Sequence, residues 1–203
     1  MTLAAAEAVT EPTRSKEVKG RSIAWWGMAV LIATEAMIFA TLLSSYIFVR
    51  AASKEWPLGH IEPPELSPLI WFFTAILLGS SGPMFFAEHA IRKGKQARLR
   101  LGLALVFVMG ISFLGFLAYE YHELEFGIRD NAYGSLFYAI TGLHGAHVVG
   151  GLLMIGMLQI KAWMGRFSAE RHETVAVIGM YWHFVDAVWV FVFSTLYLSV
   201  HVT

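Results

Sequence analysis

SLFYAITGLHGAHVVGGLLMIGMLQIKA, residues 135–162, runs across the chain with a single full charge, Lys161, next to its end. A helix needs about 20 apolar residues to cross a hydrocarbon layer about 30 Å thick, at about 1.5 Å of rise per residue. This stretch is long enough, and so are four others: residues 23–49, 68–91, 99–121 and 175–200. Together they occupy most of the chain. The expected fold is therefore all-α: an integral membrane bundle of five transmembrane helices, with one domain over residues 23–203 and a short flexible tail over residues 1–22.

Composition agrees. The chain has 203 residues, of which 57% are hydrophobic and 15% charged, against roughly 25% charged in soluble domains. Its mean hydropathy is +0.58. No cysteine is present, which excludes disulfides, thiolate metal sites and cysteine nucleophiles. Net charge is zero with histidine neutral, so the chain shows no nucleic-acid footprint. The tail contains Glu7, Glu11 and Glu17, unlike an acid-poor transit peptide, and the first apolar run is too long for a signal-peptide core.

Charge also predicts orientation. Lys and Arg concentrate in cytoplasmic connections. The tail, the second connection and the fourth connection lie on one side of a five-span topology and hold 12 of the 15 basic residues; Arg50, Lys54 and Arg129 are on the other side. This places the N-terminus in the cytoplasm and the C-terminus outside. Trp25, Trp26, Trp56, Trp71 and Trp163 fall near the ends of the runs, as an aromatic belt does. The loop with Trp56-Pro57 and Pro63-Pro64 reads as irregular, because proline fixes φ and lacks an N–H. The sequence GSSGP at 79–83 should loosen or kink the second span.

Ionisable groups inside apolar spans are functional or structural candidates by default. Glu35 sits near the midpoint of span 1 and must be protonated, paired or wetted; it reads as a proton-accepting group or as a carboxyl bonded to a neighbouring helix. His144 and His147, three residues apart, share a helix face. They suggest a metal or haem site completed by His183, or a polar helix contact. Gly142, Ala146 and Gly150 recur every four residues, a spacing that lets helices approach closely. His183 and Asp186 are also three apart and can pair. Glu120, at the outer end of span 3, reads as structural. Glu88 can pair with Arg92 one turn on.

Two segments together resemble a known family. TGLHGAHV (141–148) followed by Gly150, and YWHFVDAVW (181–189), are similar to the signature segments of subunit III of the haem–copper oxidases. TEAMIF (34–39), AYEY (118–121) and YGSLFY (133–138) resemble it as well. The similarity runs from about Trp25 to Tyr197 and matches the short five-helix bacterial form of cytochrome c oxidase subunit 3, which lacks the first two spans of larger members. The resemblance implies a non-catalytic core subunit of a proton-pumping oxidase in the bacterial plasma (inner) membrane. Such a subunit stabilises subunit I, binds phospholipid in a cleft and supports proton uptake. It implies no haem, copper or other metal in this chain, these being carried by subunits I and II, and it leaves room for a small subunit IV and a respiratory supercomplex. It makes Glu35 the carboxyl-reagent-sensitive glutamate, and His144, His147, His183, Asp186 and Glu120 interhelical or lipid-cleft polar residues. The competing readings are a quinol oxidase subunit, an accessory protein of nitric oxide reductase, a small haem- or metal-binding redox protein, and a small proton channel using Glu35 and Asp186.

Overall fold

A computed structural model of the chain describes residues 20–201; most of the expected tail, residues 1–19, lies outside them. Five helices among the described residues are long and apolar enough to cross a membrane. The first is α1 (Ile23–Ala52). The second span is built of two pieces, α2 (Pro68–Gly79) and α3 (Ser81–Arg92). They are followed by α4 (Gln96–Glu123), α5 (Ala132–Trp163) and α6 (Glu173–Phe193), which continues through a π turn, Ser194–Leu198, and a 3-10 turn to His201.

The helices begin and end a few residues beyond the apolar runs because polar residues close them. Ser22 Oγ accepts the Trp25 N–H at 3.1 Å, and Asn131 Oδ1 accepts the Gly134 N–H at 2.9 Å, so each caps a first turn with otherwise orphan donors. α3 and α5 end on Gly94 and Gly165, both with φ of 68°. That left-handed conformation suits glycine, and it lets Lys95 N–H and Arg166 N–H reach back to the Ala90 and Lys161 carbonyls.

The break in span 2 follows from GSSGP. Pro83 has no N–H to give to the Gly79 carbonyl, so the helical ladder is interrupted at Ser80. Ser80 Oγ donates to the Leu77 carbonyl at 2.6 Å and accepts the Trp182 indole N–H at 2.8 Å. The expected kink is thus also a cross-link to α6.

α4, α5 and α6 form the heart of the bundle, with α2 and α3 on one side of it. Trp182 and Trp189 are both fully buried. Trp182 packs between two glycines: a Cβ at Gly110 of α4 or Gly151 of α5 would stand 2.8 Å from its ring. Trp189 donates to Thr74 Oγ1 at 3.2 Å. α1 packs chiefly on α5 and α6 and buries only Phe39 and Tyr46. Antiparallel packing gathers Arg21, Arg92, Lys93, Lys95, Arg98, Arg100, Lys161, Arg166 and Arg171 in the tail and connections at one end, termed the basic end. There Arg100 donates to the Ala162 carbonyl at 3.1 Å and Gln96 to the Phe167 carbonyl at 2.6 Å. At the opposite end Arg50 donates to Ser199, and Asn131 holds the Leu58 carbonyl beside a loop that turns at Gly59, φ 74°.

Candidate functional site

Glu35 of α1 meets His147 of α5 midway along both helices, with Oε2 3.1 Å from Nε2. The other ring nitrogen, Nδ1, is 2.8 Å from the Leu143 carbonyl. A carbonyl only accepts, so Nδ1 must carry a hydrogen. Nε2 then has two options. It accepts from a protonated Glu35, or it carries a second hydrogen and donates to the carboxylate. Either way the pair holds one shared proton and no net charge, which answers how a carboxyl sits in a span at low energy. Phe39 lies edge-on to the His147 ring at 5.0 Å, and Tyr181 Oη donates to the His147 carbonyl at 3.3 Å. About a quarter of the Glu35 side chain remains exposed, so the pair borders the surface of the bundle.

The three imidazoles do not converge. His144 and His147 both touch Phe39, but from there they part. His144 is fully buried against Phe113 and Trp189, its ring 4.9 Å from Trp189, and neither of its nitrogens has a hydrogen-bond partner. His183 turns to α3, stacks on Phe85 at 4.1 Å and places Nδ1 2.9 Å from Ser81 Oγ. Among the described residues no three His, Cys, Asp or Glu side chains come together as ligands. The competing reading of a haem or metal on His144, His147 and His183 therefore finds no shared centre among the described residues.

The other expected polar residues fall into place differently from their sequence spacing. Asp186 and His183 do not bond to each other directly. Ser81 stands between them, its Oγ also 2.5 Å from Asp186 Oδ2. Glu88 leans past Arg92, 3.8 Å away, toward α6, where its carboxylate occupies the space a Cβ on Gly179 would need. Glu120 is buried, not at a wet helix end: Tyr197 Oη donates to its Oε2 at 2.8 Å. The stripe of Gly142, Ala146 and Gly150 is not where α5 packs tightly within this chain. Ala146 is exposed, and a Cβ at Gly142 or Gly150 would meet only tyrosine hydroxyls, at 3.6 and 3.5 Å. Close approach occurs at positions adjoining the stripe, at Gly145 beside Leu117 and at Gly151 beside Trp182.

Ser80, Ser81, Thr74 and Tyr197 are partners that spacing on a single helix does not disclose. The two serines were visible only as part of a kink; their position at mid-span opposite a polar helix is the signal that could have found them. Tyr197 carries no such signal.

Comparison with known proteins places this geometry in context. The family described as cytochrome c oxidase subunit III matches residues 6–200. Cytochrome c oxidase subunit 3 of Thermostichus vulcanus is 35% identical over 173 residues, covering 85% of each chain. The probable cytochrome c oxidase subunit 3 of Nocardia farcinica is 37% identical over 176 residues, covering 84% of this chain and 85% of that one. The Arabidopsis thaliana subunit 3 is 34% identical over 178 residues, covering 85% of this chain but 67% of its own. With five spanning helices, both histidine segments and a family match along almost its whole length, the chain belongs to the cytochrome c oxidase subunit III family.

Proposed function

We propose that the chain is a core subunit of a proton-pumping cytochrome c oxidase, docked on the catalytic subunit I with subunit II nearby, in the bacterial plasma membrane. The N-terminus faces the cytoplasm, as the basic end suggests. The chain has no active site of its own: haem and copper belong to the partner subunits, and this chain contributes stability, bound phospholipid and support of proton uptake. The observation that carries this reading is the Glu35–His147 contact, 3.1 Å long and midway along α1 and α5, in a chain matched to the family over residues 6–200. A neutral pair of this kind sits in the bilayer without a counter-ion, and its exposed edge is open to a carboxyl reagent. His144, His183, Asp186 and Glu120 then hold helices together from within. The exposed Ala146 on α5, flanked one turn away on each side by Gly142 and Gly150, leaves room for a phospholipid chain.

The test is purification of the tagged chain from its native membrane in mild detergent, with partner identification and a visible spectrum. Large haem- and copper-bearing subunits should co-purify, and the chain separated from them should be colourless. A chain that emerges alone with its own haem or metal would overturn the reading. In cells lacking the chain, the oxidase should still turn over but inactivate sooner; unchanged lifetime and proton uptake would count against it.

A further inference from the structure

On α3 and α6, a second set of acid, base and hydroxyl groups forms an ordered line. Glu88 lies one turn before the end of α3, beside Arg92. Its Oε1 is 3.9 Å from His183 Nε2. His183 Nδ1 is 2.9 Å from Ser81 Oγ, and Ser81 Oγ is 2.5 Å from Asp186 Oδ2. Ser81 opens α3, seven residues before Glu88 and so about 10 Å deeper from the basic end. The line therefore leads from that end toward the middle of the bundle.

A serine hydroxyl has one hydrogen and two lone pairs. The same heavy-atom positions therefore fit two proton arrangements. In the first, Asp186 is ionised, Ser81 donates to its Oδ2, His183 Nδ1–H donates to Ser81, and Nε2 is bare. In the second, Asp186 carries a proton on Oδ2 and donates to Ser81, Ser81 donates to a bare Nδ1, and Nε2 bears the hydrogen. The first becomes the second when the Glu88 carboxyl gives its proton to Nε2, Nδ1 gives its own to Ser81, and Ser81 passes its own to Asp186. One O–H bond breaks at Glu88 and one forms at Asp186. The negative charge moves from Asp186 to Glu88, and His183 stays neutral with its tautomer exchanged. The Glu88 step is the longest and closes by rotation of a carboxyl near the end of the helix.

A network that served only to join helices would be closed at both ends. This one is not: His183 Nε2 and Asp186 Oδ1 are buried without hydrogen-bond partners, and Asp186 is only 4% exposed. We propose that Glu88, His183, Ser81 and Asp186 form a proton relay that exchanges protons between the basic end of the bundle and Asp186, a buried proton-holding carboxyl. The relay lies within this chain and is separate from the Glu35–His147 pair, so it can fail while the function proposed above stands.

The test uses the intact membrane complex containing the chain, labelled with carbon-13 aspartate. Infrared difference spectra are recorded across a pH series and after transfer to deuterated buffer. A protonated-carboxyl band should titrate in the wild type and vanish in Asp186→Asn. Its deuterium exchange should slow by about 100-fold in Ser81→Ala, the lower end of what a positioned proton-transfer group supplies. Ser81→Thr, which restores a hydroxyl, should recover the rate. His183→Gln should slow exchange as Ser81→Ala does, and serves in its place if that variant fails to assemble. If no band is lost in Asp186→Asn at any pH, or if the band exchanges at the wild-type rate in Ser81→Ala or His183→Gln, the relay is overturned.

Discussion

Because Leu143 commits one nitrogen of His147, the residue opposite must satisfy the other. Glutamine at position 35 can do so, donating an amide N–H to a neutral Nε2. Glu35→Gln should therefore leave assembly and the haem content of the complex intact. Glu35→Leu removes the partner and strands Nε2 in a nearly dry site, a loss of about 1–3 kcal/mol. Detergent unfolding of the complex should separate the two variants. Equal stability would mean that the hydrogen bond contributes nothing. In the double variant Glu35→Leu with His147→Leu both polar groups are gone, so the combined loss should be smaller than the sum of the single losses. Additive losses would argue that the side chains act independently.

At the scale of the helix, Trp182 is the test object. Ser80→Ala removes the acceptor of its buried indole N–H, which should cost about 1–3 kcal/mol. Gly151→Ala drives a methyl into the face of the same ring, and overpacking of this kind costs about 1–3 kcal/mol. Ala146→Ser, on the exposed side of the same helix, should stay within about 0.5 kcal/mol. Midpoints of unfolding in a denaturing detergent series would rank the three; a Gly151→Ala variant as stable as the wild type would show that the α5–α6 contact yields easily. The contrast marks what sequence can disclose. Runs of apolar residues fixed the number and order of the spans, since length against bilayer thickness needs no partner helix. GSSGP located the break in span 2. Which face of α5 meets which neighbour depends on the rotation of one helix against another. A four-residue spacing does not carry that information: of the stripe, Ala146 is exposed and Gly142 and Gly150 meet tyrosine hydroxyls at ordinary distances, while Gly145 and Gly151 make the close contacts. For the same reason Ser81 between His183 and Asp186, and Tyr197 on Glu120, emerged only in three dimensions.

At the scale of the whole molecule, α1 is the lightly attached element. Two of its 30 residues, Phe39 and Tyr46, are buried in the chain, against 12 of the 21 in α6. Its moorings include Glu35 to His147, Phe39 against the two histidines, Tyr46 in an aromatic group with Trp56 and Tyr133, and Arg50 to Ser199, with Met28, Leu42 and Leu43 partly buried against the core. Few buried contacts mean low local stability. In hydrogen exchange, backbone amides of α1 should lose protection before those of α4 to α6, as denaturing detergent is raised. Simultaneous loss across all five spans would show that α1 is integral to one cooperative unit. Exposed Val30, Met37, Ile47 and Phe48 give the rest of α1 a surface suited to lipid or another subunit.

The same attachment carries a consequence for biosynthesis. α1 is translated before any other described span, yet the helices it rests on, α5 and α6, emerge last. While the ribosome makes the three spans' worth of chain between Glu35 and His147, the glutamate must wait in or beside the bilayer with no imidazole to meet it. The remaining residues of α1, apolar over most of its 30 positions, have to hold the helix in place alone during that interval. The strongly apolar character of this least-buried helix is therefore a requirement of its order of synthesis as much as of its final surroundings.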